Sequence, residues 1–293
     1  MITQLLIAAA KKWPRGRLAI RTGLRLNEYM AKTEKELAFL RDLYINDEWT
    51  HRFTDLADKH LKFSREKNFL YINAGTGNHA FALREKLDKT TAIFATCENE
   101  ELLKIARDKA LAVKSDVDFC SIRFEDSAFD SVLVDASFVR SDELEQLIKE
   151  SVRVARTSGK VGVFFPAAGS FGEIFSLLWE VLFNEDLGEH GAAAEQMVKD
   201  LPPVWRAEEI AESVGLVKVE SNTSNEVFDY ENGAKFIGSP LVADFLLPLW
   251  LDSLNEKEKE RVIEKLAQLI DAEEGSLTFR FGVKVVFLTG EKA

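Results

Sequence analysis

"FLYINAGTGNHAFAL", residues 69–83, holds the strongest structural signal in the sequence. An apolar run from Phe69 to Ile72 enters a short loop holding Gly75 and Gly77. The chain leaves that loop on helical apolar spacing at Ala80, Leu83 and Leu87. A strand, a small loop and a helix in this order expose backbone N–H groups at a helix N-terminus, and glycine lets a ligand approach that backbone closely. Asn73 stands where such a strand usually ends on glycine, so the loop is either a working site or the remains of one.

Working outward, apolar runs of strand length alternate with helical patterns. Strands are predicted at 68–74, 91–97, 117–122, 131–136 and 160–165, and helices at 78–88, 99–112 and 141–156. Apolar strands separated by helices of this size predict a parallel sheet covered on both faces. Before residue 65, Leu37, Leu40 and Leu43, then Trp49, Phe53 and Leu56, predict two or three helices. After the fifth strand, "SFGEIFSLLWEVLF" and "AAAEQMVKDL" read as helices, "RAEEIAESVGL" as a helix closed at Gly215, and "VKVESN" as a strand. Residues 224–278 read as a mostly helical insertion, and "FRFGVKVVFLTGEK" as a long final strand. The expected organisation is a basic arm with helices over 1–65, a core over 66–223, a helical lid insertion over 224–278 and a terminal core strand over 279–293.

The 293 residues are 46% apolar and 30% charged, enough for a substantial core. Apolar stretches such as "PLVADFLLPLWL" are too short for a membrane span. Cys97 and Cys120 lie in strand-like segments and read as reduced thiols, which points to a cytoplasmic, reducing compartment. The four histidines lack metal-ligand spacing, and no metal site is expected. A net charge of −11 argues against a nucleic-acid partner. Residues 1–27 nevertheless carry six basic and no acidic side chains, leaving −17 for the remainder. That segment suits a solvated arm, organelle targeting, a protein partner or contact with an anionic membrane surface.

A dinucleotide reading must be weighed, because "GTGNHA" matches G-x-G-x-x-A and Glu98 follows about 20 residues on. With the first glycine placed directly at the strand end, however, the three positions are Asn73, Gly75 and Asn78, and only one is glycine. A better match runs over residues 65–223 and the terminal strand. "LYINAGTGNHAFAL", "ENEELLKIARDKA", "DSAFDSVLVDASF", "SVRVARTSGKVGVFF" with Gly159 as a helix cap, and "AEEIAESVGLVKVESN" together resemble the class I S-adenosylmethionine-dependent methyltransferases. The resemblance implies a Rossmann-like α/β fold, a seven-stranded mostly parallel sheet with helices on both faces, and S-adenosylmethionine as cofactor.

Carried over residue by residue, it implies a cofactor site formed by Tyr71, Asn73, Ala74, Gly75, Gly77, Cys97, Glu98, Phe124, Glu125 and Asp135. This chain departs from the pattern at three of these places. Tyr71 replaces the first-strand acid, Asn73 the first glycine, and Cys97 the second-strand acid. Glu98 can take over from Cys97 only if the strand has already turned at its end, because successive strand residues face opposite sides. For the acid after the third strand, the alignment gives either Asp118 or the loop Arg123, Phe124 and Glu125, and the loop is favoured.

The resemblance implies a methyltransferase, and the aromatic insertion "FDYENGAKFIGSPLVADFLLPLWLDSL" suggests a lid over a small organic acceptor. Methyl transfer needs alignment and exclusion of water rather than an invariant catalytic residue, so no catalytic residue is assigned. The alternative is a methyltransferase-like binding or assembly subunit without turnover. An NAD(P)-dependent oxidoreductase is the less favoured third reading.

Overall fold

A computed structural model describes residues 32–62, 66–272 and 278–293, so the basic segment of residues 1–27 lies outside the described residues. Its centre is a seven-stranded sheet in the order β3-β2-β1-β4-β5-β7-β6. The strands are β1 (Asn68–Ile72), β2 (Ala92–Ala95), β3 (Asp118–Phe119), β4 (Phe129–Asp135), β5 (Ala155–Pro166), β6 (Leu216–Tyr230) and β7 (Phe279–Lys292). Strands β1 to β5 pair in parallel, and β7 pairs antiparallel with both β5 and β6. This is the α/β, mostly parallel arrangement that the sequence predicts.

Alternate residues of the central strands divide two cores. Phe69, Tyr71, Leu133 and Phe164 belong to one, and Leu70, Val132, Val134 and Phe165 to the other. The first face receives α3 (Asn78–Lys86) through Ala80 and Leu83, α4 (Glu100–Val113) through Leu103 and Ala106, and α6 (Gly172–Asn184) through Ile174 and Leu178. The second receives α5 (Ser141–Val154) through Leu144 and Ile148, and α8 (Val204–Ser213) through Ala207 and Ala211. Helix α7 (Gly188–Asp200) packs on α6. Burial on both faces is what gives such strands continuous apolar runs rather than alternation.

The helical segment before β1 is one continuous run with a change of winding. Helix α1 (Glu34–Leu40) starts at a capping box between Thr33 and Glu36. It passes into a π-helix over Arg41–Thr50 and continues as α2 (His51–His60). The backbone N–H of His51 reaches the carbonyl of Asn46, five residues back. Residues four apart share one face of this run, and Arg41, Ile45, Trp49 and Phe53 are buried on it. The α-helical spacing read from the sequence placed Leu43 inward; it is instead 63% exposed.

Three further boundaries differ from expectation. Helix α5 ends at Val154 and the chain becomes extended at once, so Gly159 is no helix cap. Phe129 pairs with Ala155 and Ser131 with Lys160, so residues 156–159 loop out of β5. The third strand shortens to Asp118–Phe119, which pair only with Phe94 and Ala95 at the sheet edge. Strand β6 continues through Tyr230, because Glu220–Tyr230 pair with Phe279–Thr289 of β7. The insertion's helices therefore begin at α9 (Gly233–Ile237). A second π-helix (Leu241–Leu246), α10 (Leu247–Trp250) and α11 (Glu256–Ala272) follow. No helix among the described residues is long and apolar enough to cross a membrane.

Helices α9 and α11 meet where a β-carbon on Gly233 would lie 2.2 Å from the carbonyl oxygen of Ala267. Gly233→Ala is expected to cost about 1–3 kcal/mol or more, since backbone cannot retreat as a side chain can. Gly188, with no atom within 4 Å of such a carbon, should accept alanine with a change within about 0.5 kcal/mol. Urea denaturation of the two variants checks the contrast.

Candidate functional site

The carboxyl ends of β1, β2 and β4 converge on the glycine loop, where open α/β sheets place their ligands. Asn73 adopts φ +60° just beyond β1, a left-handed conformation that asparagine tolerates better than most residues. Its amide donates to the carbonyl of Asp135 at 3.2 Å, which joins the ends of β1 and β4. The N–H of Ala74 donates to the carbonyl of Thr96, beyond the end of β2. Gly75 and Gly77 have φ +57° and +86°. At Gly77 the need for glycine is also internal: a β-carbon there would lie 2.6 Å from the ring of Phe119. A larger side chain at this position would thus disturb the fold as well as any ligand.

Strand β2 ends at Ala95, three residues before Glu98, so the alternation of faces has lapsed by that point. Glu98 turns to the loop, and its Oε2 accepts the N–H of Gly75 at 3.2 Å. Its Oε1 lies 2.5 Å from Nη2 of Arg41, a residue not singled out in the sequence. The same nitrogen is 3.9 Å from Oδ2 of Asp135. The guanidinium lies 4.8 Å from the ring centre of Phe138 and within 3.6–3.9 Å of where a Gly75 β-carbon would be. Arg41 thus brings together Gly75, Glu98 and Asp135. Among the described residues its Nε has no partner, and neither does Oγ of buried Ser137.

Asp135 ends β4 on the face shared with Tyr71. Burial pushes its carboxyl up to about 6, while Arg41 pulls in the opposite direction. Its Oδ1 accepts the N–H of Ser137 at 2.8 Å. Cys97 is partly covered, and burial together with the charge of Glu98 pushes its thiol up to about 12. It is therefore a neutral neighbour and cannot act as the second-strand carboxylate at physiological pH. Tyr71 is fully buried, with its hydroxyl 2.9 Å from His79 Nδ1, and His79 Nε2 is 3.2 Å from Asp58. Burial opposes charge on Asp58, but hydrogen bonds from His79 and Lys86 outweigh it and lower its carboxyl. With Asp58 ionised, His79 Nε2–H donates to it and Nδ1 accepts from Tyr71, so the phenol ties β1 to α3 and α2.

Phe124 and Glu125 lie elsewhere. Phe124 packs edge-to-face on Phe94 and on Phe129, at the start of β4 and so at the end of the sheet remote from the glycine loop. Its carbonyl accepts from Arg153 at the end of α5, and Glu125 is exposed. The polar set that sequence reasoning missed is held by the first π-helix. Thr76, fully buried in the loop, donates to Asp42 at 2.7 Å and accepts from Asn46 at 2.8 Å. Lys109 of α4 lies 2.5 Å from the same Asp42 oxygen. The signal available was the run of polar residues Arg41, Asp42 and Asn46 at four- and five-residue spacing.

Above Asp135, Phe138 lies between the two π-helices, with its ring centre 5.4 Å from Trp49 and 5.5 Å from Phe245. The exit of β4 is consequently covered by aromatic side chains from both the N-terminal helical run and the insertion.

Residues 70–163 match the family described as "Methyltransferase domain". Among solved structures, the chain resembles the YcgJ protein of Bacillus subtilis at 14% identity and a TM-score of 0.54, covering 83% of this chain and 98% of that one. It also resembles phosphoethanolamine N-methyltransferase 2 of Haemonchus contortus, solved with phosphomonomethylethanolamine and S-adenosylhomocysteine. There the identity is 13%, the TM-score 0.52 and the coverage 89% of this chain and 58% of that one. A second structure of that enzyme, with S-adenosyl-L-methionine, gives 14%, 0.52, 96% and 61%. This chain thus spans about three fifths of the Haemonchus protein's length, and at these identities the likeness is one of fold. No curated protein sequence matches significantly.

The raised carboxyl of Asp135 makes a signed pH prediction. Between its ordinary value near 3.8 and about 6 the folded chain holds a proton that the unfolded chain has lost. Stability from this group therefore falls as pH rises through that window and is flat above it. Asp135→Asn should remove the loss, so that from pH 4 to 7 wild type loses up to roughly 3 kcal/mol relative to the variant. Chemical denaturation of both proteins at the two pH values measures the difference.

Proposed function

We propose that this chain, whose residues 70–163 match the methyltransferase-domain family, transfers a methyl group from S-adenosylmethionine to a small organic acceptor. Glu98 carries the reading. The family's acid at the end of β2 is replaced by Cys97, yet the adjacent Glu98 presents its carboxylate to the N–H of Gly75. A carboxylate there can accept hydrogen bonds from vicinal hydroxyls, as a ribose requires. The Oγ of buried Ser137, without a partner among the described residues, is the kind of atom that a ligand's carboxylate or carbonyl would satisfy. The donor and acceptor set therefore suits the cofactor, with Gly75 and Glu98 as its principal holders and Asn73, Ala74, Gly77 and Tyr71 shaping the loop.

When bound, the cofactor supplies an electrophilic methyl on sulfur, open to direct displacement. The chain's own contribution is to orient and to exclude water. Trp49, Phe138 and Phe245 cover the exit of β4 with apolar surface, which supports a small, partly apolar acceptor rather than a polymer. Asp135, with a carboxyl at about 6, is suited to take a proton from an acceptor near neutral pH. A second reading, a methyltransferase-like binding or assembly subunit, draws on one observation: the guanidinium of Arg41 stands over Gly75.

Thermal melts with S-adenosylmethionine, S-adenosylhomocysteine and NADP decide between them. Either sulfur ligand at a hundred times its Kd should stabilise by about 2.7 kcal/mol, with NADP silent. Glu98→Gln should weaken S-adenosylhomocysteine about tenfold, through loss of a charge-assisted contact of roughly 1.5 kcal/mol. Absence of any response at millimolar ligand in wild type and in Arg41→Met, which clears the guanidinium from over Gly75, would leave the subunit reading in place.

A further inference from the structure

We infer that Arg41 is an internal competitor of the cofactor, holding Glu98 and the space over Gly75 until the first π-helix moves. The inference rests on Glu98 being the cofactor's acid, as argued above. In the structure both oxygens of that carboxylate are already engaged, one by Arg41 at 2.5 Å and the other by the N–H of Gly75 at 3.2 Å. The guanidinium occupies the approach to Gly75, between the loop and the ring of Phe138. A ligand reaching this backbone from that side must displace it.

Arg41 is the first residue of the π-helix, buried with Ile45 and Trp49 and held by Glu98, Asp135 and the ring of Phe138. The apolar spacing of Leu37 and Leu40, which lie in α1, extends in the sequence to Leu43. In the π-wound segment, however, Leu43 is 63% and Tyr44 49% exposed. The segment thus keeps apolar side chains in water while it buries a guanidinium whose Nε lacks a partner among the described residues. Those are the marks of an element with a second arrangement, in which Arg41 turns out and apolar groups turn in. Its latch to the loop is polar and small: Thr76 to Asp42 at 2.7 Å and Asn46 to Thr76 at 2.8 Å.

A competitor of this kind lowers apparent affinity by the fraction of molecules that are open. Calorimetric titration of S-adenosylhomocysteine into wild type, Arg41→Met, Arg41→Lys and Asn46→Ala tests it. If the closed form holds about nine tenths of the molecules, Arg41→Met should bind about tenfold more tightly, Asn46→Ala should move in the same direction, and Arg41→Lys should stay near wild type. Hydrogen exchange on the unaltered protein gives an independent reading: saturating S-adenosylhomocysteine should speed exchange of the amides over 41–50. Equal or weaker binding by Arg41→Met, or slower exchange over 41–50, would overturn the inference and make Arg41 a ligand or a bystander. Binding by Arg41→Met where wild type shows none would support it strongly. If no protein binds at millimolar concentration, the cofactor reading falls and this inference falls with it.

Discussion

A guanidinium kept out of water beside two carboxylates is the constraint around which the rest of this site is arranged. Arg41 is 7% exposed, and Asp135 is 3% exposed. Charges withdrawn from water are stabilised only when their partners are well placed. The partners here come from three separate parts of the chain: the π-helix, the turn after β2 and the end of β4. The loop between β1 and α3 is fitted around them, through the Gly75 N–H on Glu98 and the Asn73 amide on the carbonyl of Asp135. The helical run over 34–60 therefore does more than cover the sheet. It brings the cation that lets these carboxylates sit together.

The three departures from the methyltransferase pattern have local explanations. Tyr71 gives up a carboxylate but keeps a polar tip, and its hydroxyl is satisfied by His79, itself backed by Asp58. Asn73 keeps the left-handed backbone that glycine would have supplied. Cys97 is neutral in its covered position, while Glu98, one residue later and beyond the strand, reaches the loop. Each replacement preserves the geometry of the strand–loop–helix unit, and those at Tyr71 and Cys97 each remove a carboxylate.

Much of the fold was legible because buried parallel strands write themselves as apolar runs. Phe69 to Ile72 and Val132 to Val134 have no polar alternative. Glycine at 75 and 77 marked the loop for the same local reason, its positive φ. What could not be read was whatever depends on contacts made far along the chain. Arg41 faces inward to meet Glu98 and Asp135, partners far along the chain that no local propensity announces. Strand β6 runs on through "SNTSNEVFDY", whose polar residues look like the start of a loop, because β7 supplies a partner for each of them. Phe124 was drawn toward the site by alignment, yet its ring found Phe94 and Phe129 at the far end of the sheet.

The position of β7 carries a consequence for how the chain is made. It lies between β5 and β6 and bonds to both, yet it follows them in sequence, separated from β6 by all the helices of the insertion. As the polypeptide emerges from the ribosome, β1 to β5 can pair in order while β5 and β6 both wait with open edges. Unpaired edges of apolar strands invite pairing with other chains. Val161, Val163 and Phe165 lie on one such edge. The newborn protein is thus most exposed to aggregation in the interval between synthesis of residue 166 and completion of β7 at residue 292.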